Sequence, residues 1–178
     1  VLIDNQLNYT GDVTIVPSAP GVEWINASVP EASVTISAEK LTAFPFKTLA
    51  YQQNGGEWQN TEQNKVTIQL EDGEYLLLAK ALGEGDLATP AVTVPVKVDR
   101  TAPVFDGEIA FEKTDKPLEK DNLFAMFMRL FNSATNKQMK VTVRVDDALS
   151  GIASVVAATE DGNSYLLEKQ EDGNYSGY

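Results

Sequence analysis

The chain of 178 residues contains no cysteine and no histidine. Without cysteine, disulfides, thioester chemistry and thiolate metal sites are all excluded. Without histidine, the chain lacks the commonest general base and the commonest zinc ligand. We therefore expect a protein without catalytic residues.

A membrane-length apolar run and an excess of basic residues are also missing. Lysine and arginine number 14 against 26 acidic residues, which gives a net charge of −12 and a pI near 4.3. Such a chain repels phosphate backbones, and no apolar run is long enough to span a bilayer. We expect neither nucleic-acid binding nor membrane insertion. No signal peptide is visible and the chain begins at Val1, which suggests a processed chain or an excised fragment.

The sequence consists largely of short alternating segments separated by Gly, Asn, Asp and Pro. Apolar residues at every second position are typical of strands with one buried face. Asn54-Gly55-Gly56 offers the positive φ angles that a tight hairpin needs. The pattern predicts an all-β chain of sandwich type, with strands that include residues 21–29, 33–37 and 65–70.

The second half of the chain repeats the first. Residues 34–58 align without a gap with residues 141–165, a shift of 107 positions from Val34 to Val141. This predicts two tandem β-sandwich domains, residues 17–99 and 100–178. Residues 1–16 contain one further strand, which is either the first strand of the first domain or the end of a preceding module. Its likeness to the strand before Arg100 favours a preceding module.

The second copy differs from the first in two places. Residues 118–137 look like an insertion, and Phe124, Phe127 and Phe131 recur there at helical spacing, which predicts a short helix over the end of the second sandwich. The copy ends at Tyr178, which aligns with Leu78. We therefore expect the second domain to be incomplete, without its closing strand, and the natural protein to continue.

The two domains are expected to meet at residues 96–103. Val96 and Val98 alternate with polar neighbours as in a closing strand. Pro103 then fixes its own φ and biases Ala102 toward an extended conformation, which predicts a stiff junction.

Several of these segments occur together in a known family. The chain resembles bacterial surface immunoglobulin-like repeats, including fibronectin type III-like ones, over roughly residues 17–178. Residues 84–87 depart from the Asn-Ala-Gly-Asn turn that is common in the family. The resemblance implies two tandem immunoglobulin-like sandwiches in an extracellular, cell-wall-associated setting, usually with a spacer or adhesive role. It does not imply catalysis. The motifs that carry it are Tyr51 to Trp58, Asp72 to Tyr75, Val96 to Asp99, Thr101 to Pro103 and Asp146 to Ile152.

Two tyrosines follow glycine turns. Tyr75 and Tyr175 are predicted to form tyrosine corners, in which the hydroxyl bonds back to the backbone. The adjacent carboxylates Glu71 and Asp72 are expected to be solvated turn residues.

Two candidate binding sites are considered. Trp24, Tyr51 and Trp58 are residue types that stack on the apolar faces of sugars, although in a sandwich they also serve the core.

Asp146, Asp147 and Ser150, with Asp106 or Glu108, offer oxygen ligands for Ca²⁺, which is the one cofactor considered. The same residues also stabilise turns by bonding to their own backbone.

The sequence thus predicts spacer modules of a bacterial cell-surface protein, whose partners are the neighbouring domains of the same polypeptide. The alternative is a module that binds carbohydrate or a host ligand, within an adhesin or a secreted glycan-degrading enzyme.

Overall fold

The computed structural model describes residues 9–41, 45–114, 138–160 and 162–178. They form strands in two compact units, Val1–Thr101 and Ala102–Tyr178, together with a short 3-10 helix at Glu84–Asp86. All strand pairs are antiparallel among these residues, so the all-β prediction is confirmed. The strands are β1 (Asp12–Pro17), β2 (Ser33–Glu39), β3 (Phe46–Gln53), β4 (Gln59–Thr61), β5 (Lys65–Gln69), β6 (Gly73–Gly83), β7 (Val92–Val98), β8 (Val104–Phe105), β9 (Ala110–Thr114), β10 (Gln138–Val143), β11 (Val145–Asp146), β12 (Val155–Ala158), β13 (Ser164–Lys169) and β14 (Tyr175–Gly177).

Unit 1 consists of two sheets around one core. A three-stranded sheet has the order β1-β2-β5, and a four-stranded sheet has the order β4-β3-β6-β7. Val34 and Ile36 of the first sheet and Leu49 and Leu77 of the second are completely buried in the same cluster. Because every second residue of each strand faces inward, the alternation seen in the sequence becomes a shared apolar layer. Unit 1 is therefore a β-sandwich.

The first strand belongs to unit 1. β1 pairs with β2 along its whole length, from Asp12 opposite Glu39 to Pro17 opposite Val34. Its inward residues Val13 and Ile15 are buried in the core of unit 1. The interpretation of residues 1–16 as the end of a preceding module is therefore corrected, since the strand completes the three-stranded sheet of this unit.

Residues 21–29 do not form the predicted strand. Gly21 has a φ of +84°, and Ser28 N donates to Asn26 Oδ1 at 3.0 Å, so turns interrupt the segment at both ends. In between, Ile25 forms a single parallel bridge with Val98. The alternation in this segment reflects one buried residue, Ile25, within a loop.

The hairpin between β3 and β4 forms as predicted. Within the connection from Tyr51 to Gln59, Asn54 and Gly55 have φ angles of +51° and +70°, and Gly56 N donates to Gln53 O at 2.9 Å, which closes a tight turn. The Asn54 side chain also holds β6, because Oδ1 accepts from Leu76 N at 2.7 Å and Nδ2 donates to Glu74 O at 3.2 Å. The turn therefore stabilises the middle of the four-stranded sheet.

Unit 2 has one large sheet and one small one. The five-stranded sheet has the order β12-β13-β14-β10-β9, and β8 pairs with β11 as a two-stranded ribbon. Among the described residues of this unit, few apolar side chains are buried: Val143, Val155, Leu167 and Tyr175. The boundary between the units follows Thr101, two residues beyond the predicted one.

The repeat predicts the positions of strands in unit 2 better than their pairing. β12 aligns with β3, which pairs with β4 and β6, yet β12 pairs only with β13 among the described residues. β14 aligns with the start of β6 but pairs with β10 and β13. The two units are therefore not equivalent copies at the level of sheet topology. The helix predicted within residues 118–137 lies outside the described residues. Within the described ranges, no helix has the length and apolarity needed to cross a membrane.

Candidate functional site

The carboxylate of Asp72 holds the end of unit 1 in place. Asp72 lies in the turn between β5 and β6, and its Oδ1 accepts a hydrogen bond from Arg100 N at 2.8 Å. Its Oδ2 accepts from Thr101 Oγ1 at 2.5 Å. Arg100 and Thr101, the second and third residues after the closing strand β7, are thus bound to a turn almost thirty positions earlier. We refer to Asp72, Asp99, Arg100 and Thr101 as the junction clamp.

The other contacts of the junction clamp hold its three consecutive residues, Asp99, Arg100 and Thr101. Asp99 is only 5% exposed, and its Oδ1 accepts from Thr101 N at 3.2 Å. The Arg100 guanidinium donates to Pro30 O at 3.0 Å. Because backbone and side-chain groups on both sides of Arg100 are bonded, the chain leaves unit 1 at a defined position.

Hydrogen bonding lowers the pKa of Asp72. The Thr101 hydroxyl is the largest cause and the Arg100 N–H the next, because both donate to the ionised carboxylate. Asp72 is exposed to solvent, so the expectation of a solvated turn residue is correct for its surroundings. The expectation did not include the hydrogen bonds that both carboxylate oxygens accept.

Tyr75 forms the predicted tyrosine corner in the same turn. Its hydroxyl donates to Glu71 O at 3.1 Å. Gly73, between them, has a φ of +152°, a conformation that side chains rarely adopt. The chain passes here from β5 in one sheet to β6 in the other. The corner thus supports the turn from which Asp72 reaches the junction.

The corresponding turn of unit 2 is built differently. β13 and β14 are neighbours in one sheet, and Gln170 N donates to Asn174 O at 2.7 Å, as in a hairpin. Asp172 accepts from the backbone and the side chain of Asn174, which lowers its pKa. Tyr175 is buried in the unit 2 core, with Lys169 Nζ 6.0 Å from its ring centre. Because the chain does not change sheets here, Tyr175 lacks the geometry that the tyrosine corner requires, and that prediction is corrected.

Pro103 lies just beyond the junction clamp. It is exposed and directly precedes β8 of unit 2. Its effect on the stiffness of the junction stays a prediction.

The three aromatic residues considered for sugar binding are not brought together. Tyr51 is partly buried against the core of unit 1. Trp58 is 37% exposed, and Lys80 Nζ lies 4.5 Å from its ring centre. Lys80 alternates with buried Ala79 and Ala81, so Trp58 lies on the outer face of the four-stranded sheet.

Trp24 lies beside the other edge of that outer face. Lys97 Nζ is 5.1 Å from the ring centre of Trp24, and Lys97 alternates with the buried residues Val96 and Val98. Each tryptophan ring therefore has a lysine of the same chain over it, an attraction of about 0.5–1 kcal/mol at exposed sites. A sugar that stacked on the same face of either ring would have to displace that lysine.

The residues considered for calcium binding act within a turn or in pairs. Asp147 Oδ1 accepts from Leu149 N at 3.1 Å and from Gly151 N at 3.0 Å, so it stabilises the turn after β11. Asp106 forms an ion pair with Arg144 at 3.2 Å. Asp146, on β11, pairs with Val104.

In the part of the chain that the structure describes, no three acidic residues are grouped to hold a metal ion. For Asp147, the contacts favour the turn interpretation. The calcium site stays an untested hypothesis.

The junction clamp was missed by sequence reasoning, although both of its parts were noted. Asp72 and the Asp99-Arg100-Thr101 segment belong to separate motifs, and nothing in their spacing shows that they meet. Searches against family models, curated proteins and solved structures found no match for this chain.

Proposed function

We propose that the chain consists of non-catalytic spacer modules that present other domains at a bacterial cell surface, and that its units are immunoglobulin-like. The observation that carries the proposal is the junction clamp, because a spacer must control where the chain leaves each module. The partners are neighbouring domains of the same polypeptide, and the location is extracellular.

The strand order of unit 1 supports the immunoglobulin-like assignment. Seven strands form two antiparallel sheets, as in constant-type domains. Unit 1 differs from the constant type in its fourth strand, because β4 pairs with β3 and not with β5. The corner made by Tyr75 at the start of the sixth strand is a second feature of that architecture.

The junction clamp supports a mechanical role. A force applied to the chain beyond Thr101 acts on β7 directly. Through Asp72 it also acts on the turn that leads into β6. Ordering a residue costs about 1–2 kcal/mol of backbone entropy, and the hydrogen bonds to Asp72 offset part of that cost at Arg100 and Thr101.

Single-molecule stretching of the whole chain tests this role. Unit 1 contains more residues than unit 2, so its unfolding gives the longer extension step. We expect Asp72→Ala to lower the unfolding force of the longer step, and Asp172→Ala, at the aligned position, to leave that step unchanged. An unaltered force for the longer step in Asp72→Ala would contradict the mechanical role.

A carbohydrate- or host-ligand-binding module is the second candidate. The observation that favours it is that Trp24 and Trp58 lie on the same sheet face, on which Leu76 of β6 is also exposed. Glycan-array binding that is lost in Trp58→Ala and kept in Tyr51→Phe would support this candidate over a pure spacer.

A further inference from the structure

Asn54 and Gly55, in the turn after β3, form the one Asn-Gly pair of the sequence. In such a pair the backbone nitrogen of the glycine can attack the side-chain Cγ of the asparagine, because glycine has no side chain that obstructs the approach. Both residues are exposed to solvent, and a Cβ added at Gly55 would have no atom within 4 Å. Water and base therefore reach the reacting atoms.

The fold holds Asn54 in a position that opposes this reaction. Its side-chain Oδ1 accepts from Leu76 N at 2.7 Å, and its Nδ2 donates to Glu74 O at 3.2 Å. Its backbone N also donates to Leu76 O at 2.9 Å. The two side-chain bonds fix the plane of the amide group on β6. An attack by Gly55 N has to turn that plane and then expel Nδ2, so both bonds must break.

The products of the reaction are unable to restore these contacts. An ionised aspartate at position 54 has only acceptors, so an oxygen would face Glu74 O in the place where Nδ2 donates. An isoaspartate at the same position lengthens the backbone of the turn by the side-chain carbon. In either product the turn loses a bond to the strand that it holds.

We propose that Asn54 is a site of spontaneous covalent modification that the fold of unit 1 controls. When the turn separates from β6, Gly55 N loses its proton to solvent and forms a bond with Asn54 Cγ. The bond from Cγ to Nδ2 breaks, and Nδ2 takes up a proton and leaves as ammonia. Water then opens the cyclic imide at either of its carbonyls, which gives aspartate or isoaspartate.

The modification is a lasting record that the turn has opened. A reaction that requires the open form proceeds at a rate set by the population of that form. The hydrogen bonds from Asn54 to β6 therefore decide how fast the chain is modified. This inference goes beyond the spacer role and does not depend on it, since it concerns one turn of unit 1.

Peptide mass spectrometry of the full chain tests the proposal. The wild type is kept at mildly alkaline pH, folded in buffer or unfolded in guanidinium chloride. Trypsin cleaves after Lys47 and Lys65, so Asn54 is recovered in the peptide of residues 48–65. A mass gain of about one dalton marks the change from amide to carboxylate. We expect Asn54 to be converted in the unfolded chain and at least about tenfold more slowly in the folded chain.

The same peptide contains its own comparison. Asn60 and Asn64 are followed by Thr61 and Lys65, whose side chains obstruct the attack. Fragment masses should therefore assign the gain in the unfolded chain to Asn54. Equal rates of conversion of Asn54 in the folded and the unfolded chain overturn the proposal, as does an Asn54 that stays unconverted in the unfolded chain.

Asn54→Asp reproduces one product without the reaction. It is expected to lower the urea midpoint of unit 1, followed by tryptophan fluorescence. Asn60→Asp is the matched control, because Asn60 is exposed on β4 of the same hairpin and undergoes the same change in charge. It is expected to keep the wild-type midpoint. A wild-type midpoint in Asn54→Asp, or an equal fall in both variants, overturns the claim that the product fails to bind β6.

Discussion

Asp72 and Thr101 are separated by 29 positions in the chain and joined by a hydrogen bond of 2.5 Å between their side chains. The same carboxylate accepts the backbone N–H of Arg100. A turn between two strands thereby determines where the chain leaves unit 1. Because Tyr75 supports that turn from the other side, two sequence motifs that stand far apart form one structural device.

Removing the Asp72 carboxylate should destabilise unit 1. Asp72→Ala leaves the Arg100 N–H and the Thr101 hydroxyl without this acceptor, and we expect a loss of about 1 kcal/mol, a modest value because the site is exposed to solvent. Urea unfolding followed by tryptophan fluorescence measures this loss, since both tryptophans, Trp24 and Trp58, lie in unit 1. Asp172→Ala should leave the tryptophan signal unchanged, and an equal loss in both variants would argue against the clamp.

The contribution of Asp72 should depend on pH. Its folded-state pKa is lowered, so its contribution is fully present above the unfolded-state pKa of about 3.9 and is lost as the pH falls through the folded-state value. The difference in unfolding free energy between wild type and Asp72→Asn should be constant from about pH 7 to pH 5 and shrink below about pH 4. Urea titrations at each pH measure it. A difference that persisted unchanged at low pH would mean that the charge of Asp72 plays no part.

The tyrosine corner should matter in unit 1 and not in unit 2. Tyr75→Phe removes the hydrogen bond to Glu71 O and is expected to cost about 0.5–1.5 kcal/mol. Tryptophan-detected urea unfolding reports this cost. Tyr175→Phe, followed by circular dichroism, should change the stability of unit 2 little, since Tyr175 lies in a hairpin. A large loss of unfolding free energy in Tyr175→Phe would contradict this prediction, because the hydroxyls of Tyr75 and Tyr175 would then play the same role.

Tyr9 offers a route to a more stable unit 1. It is 2% exposed, and its hydroxyl finds no hydrogen-bond partner among the described residues. Burial raises the pKa of this phenol. Because an unpaired buried hydroxyl costs about 1–3 kcal/mol, Tyr9→Phe is expected to leave the urea midpoint unchanged or raise it. A fall in the midpoint would reveal a hydroxyl partner.

Local patterns in the sequence predicted most of the strands of unit 1 and the corner at Tyr75. Alternation indicates which residues face a core, and the glycine in the Asp72-Gly73 turn indicates an unusual backbone angle. Both features are local, so they can be predicted without knowledge of the fold. The misassigned strand at residues 21–29 has apolar residues at strand spacing, but turns at Gly21 and at Asn26–Ser28 leave it with a single bridge, between Ile25 and Val98.

Local patterns did not predict which distant strands become neighbours in a sheet. Tyr175 has the same sequence setting as Tyr75, but the neighbour of β13 decides whether the chain turns back or changes sheets. The partners of Asp72 and the lysines over Trp24 and Trp58 likewise depend on which strands adjoin.

The most direct test of the central claim is the backbone order at Arg100 and Thr101, measured by ¹⁵N NMR relaxation in the full chain. If the junction clamp holds the end of unit 1, both amides should have order parameters near 0.85, as in β7, and should fall toward 0.6 in Asp72→Ala. Low order parameters in the wild type, or values unchanged by the substitution, would contradict the account of this chain as a spacer with a fixed exit.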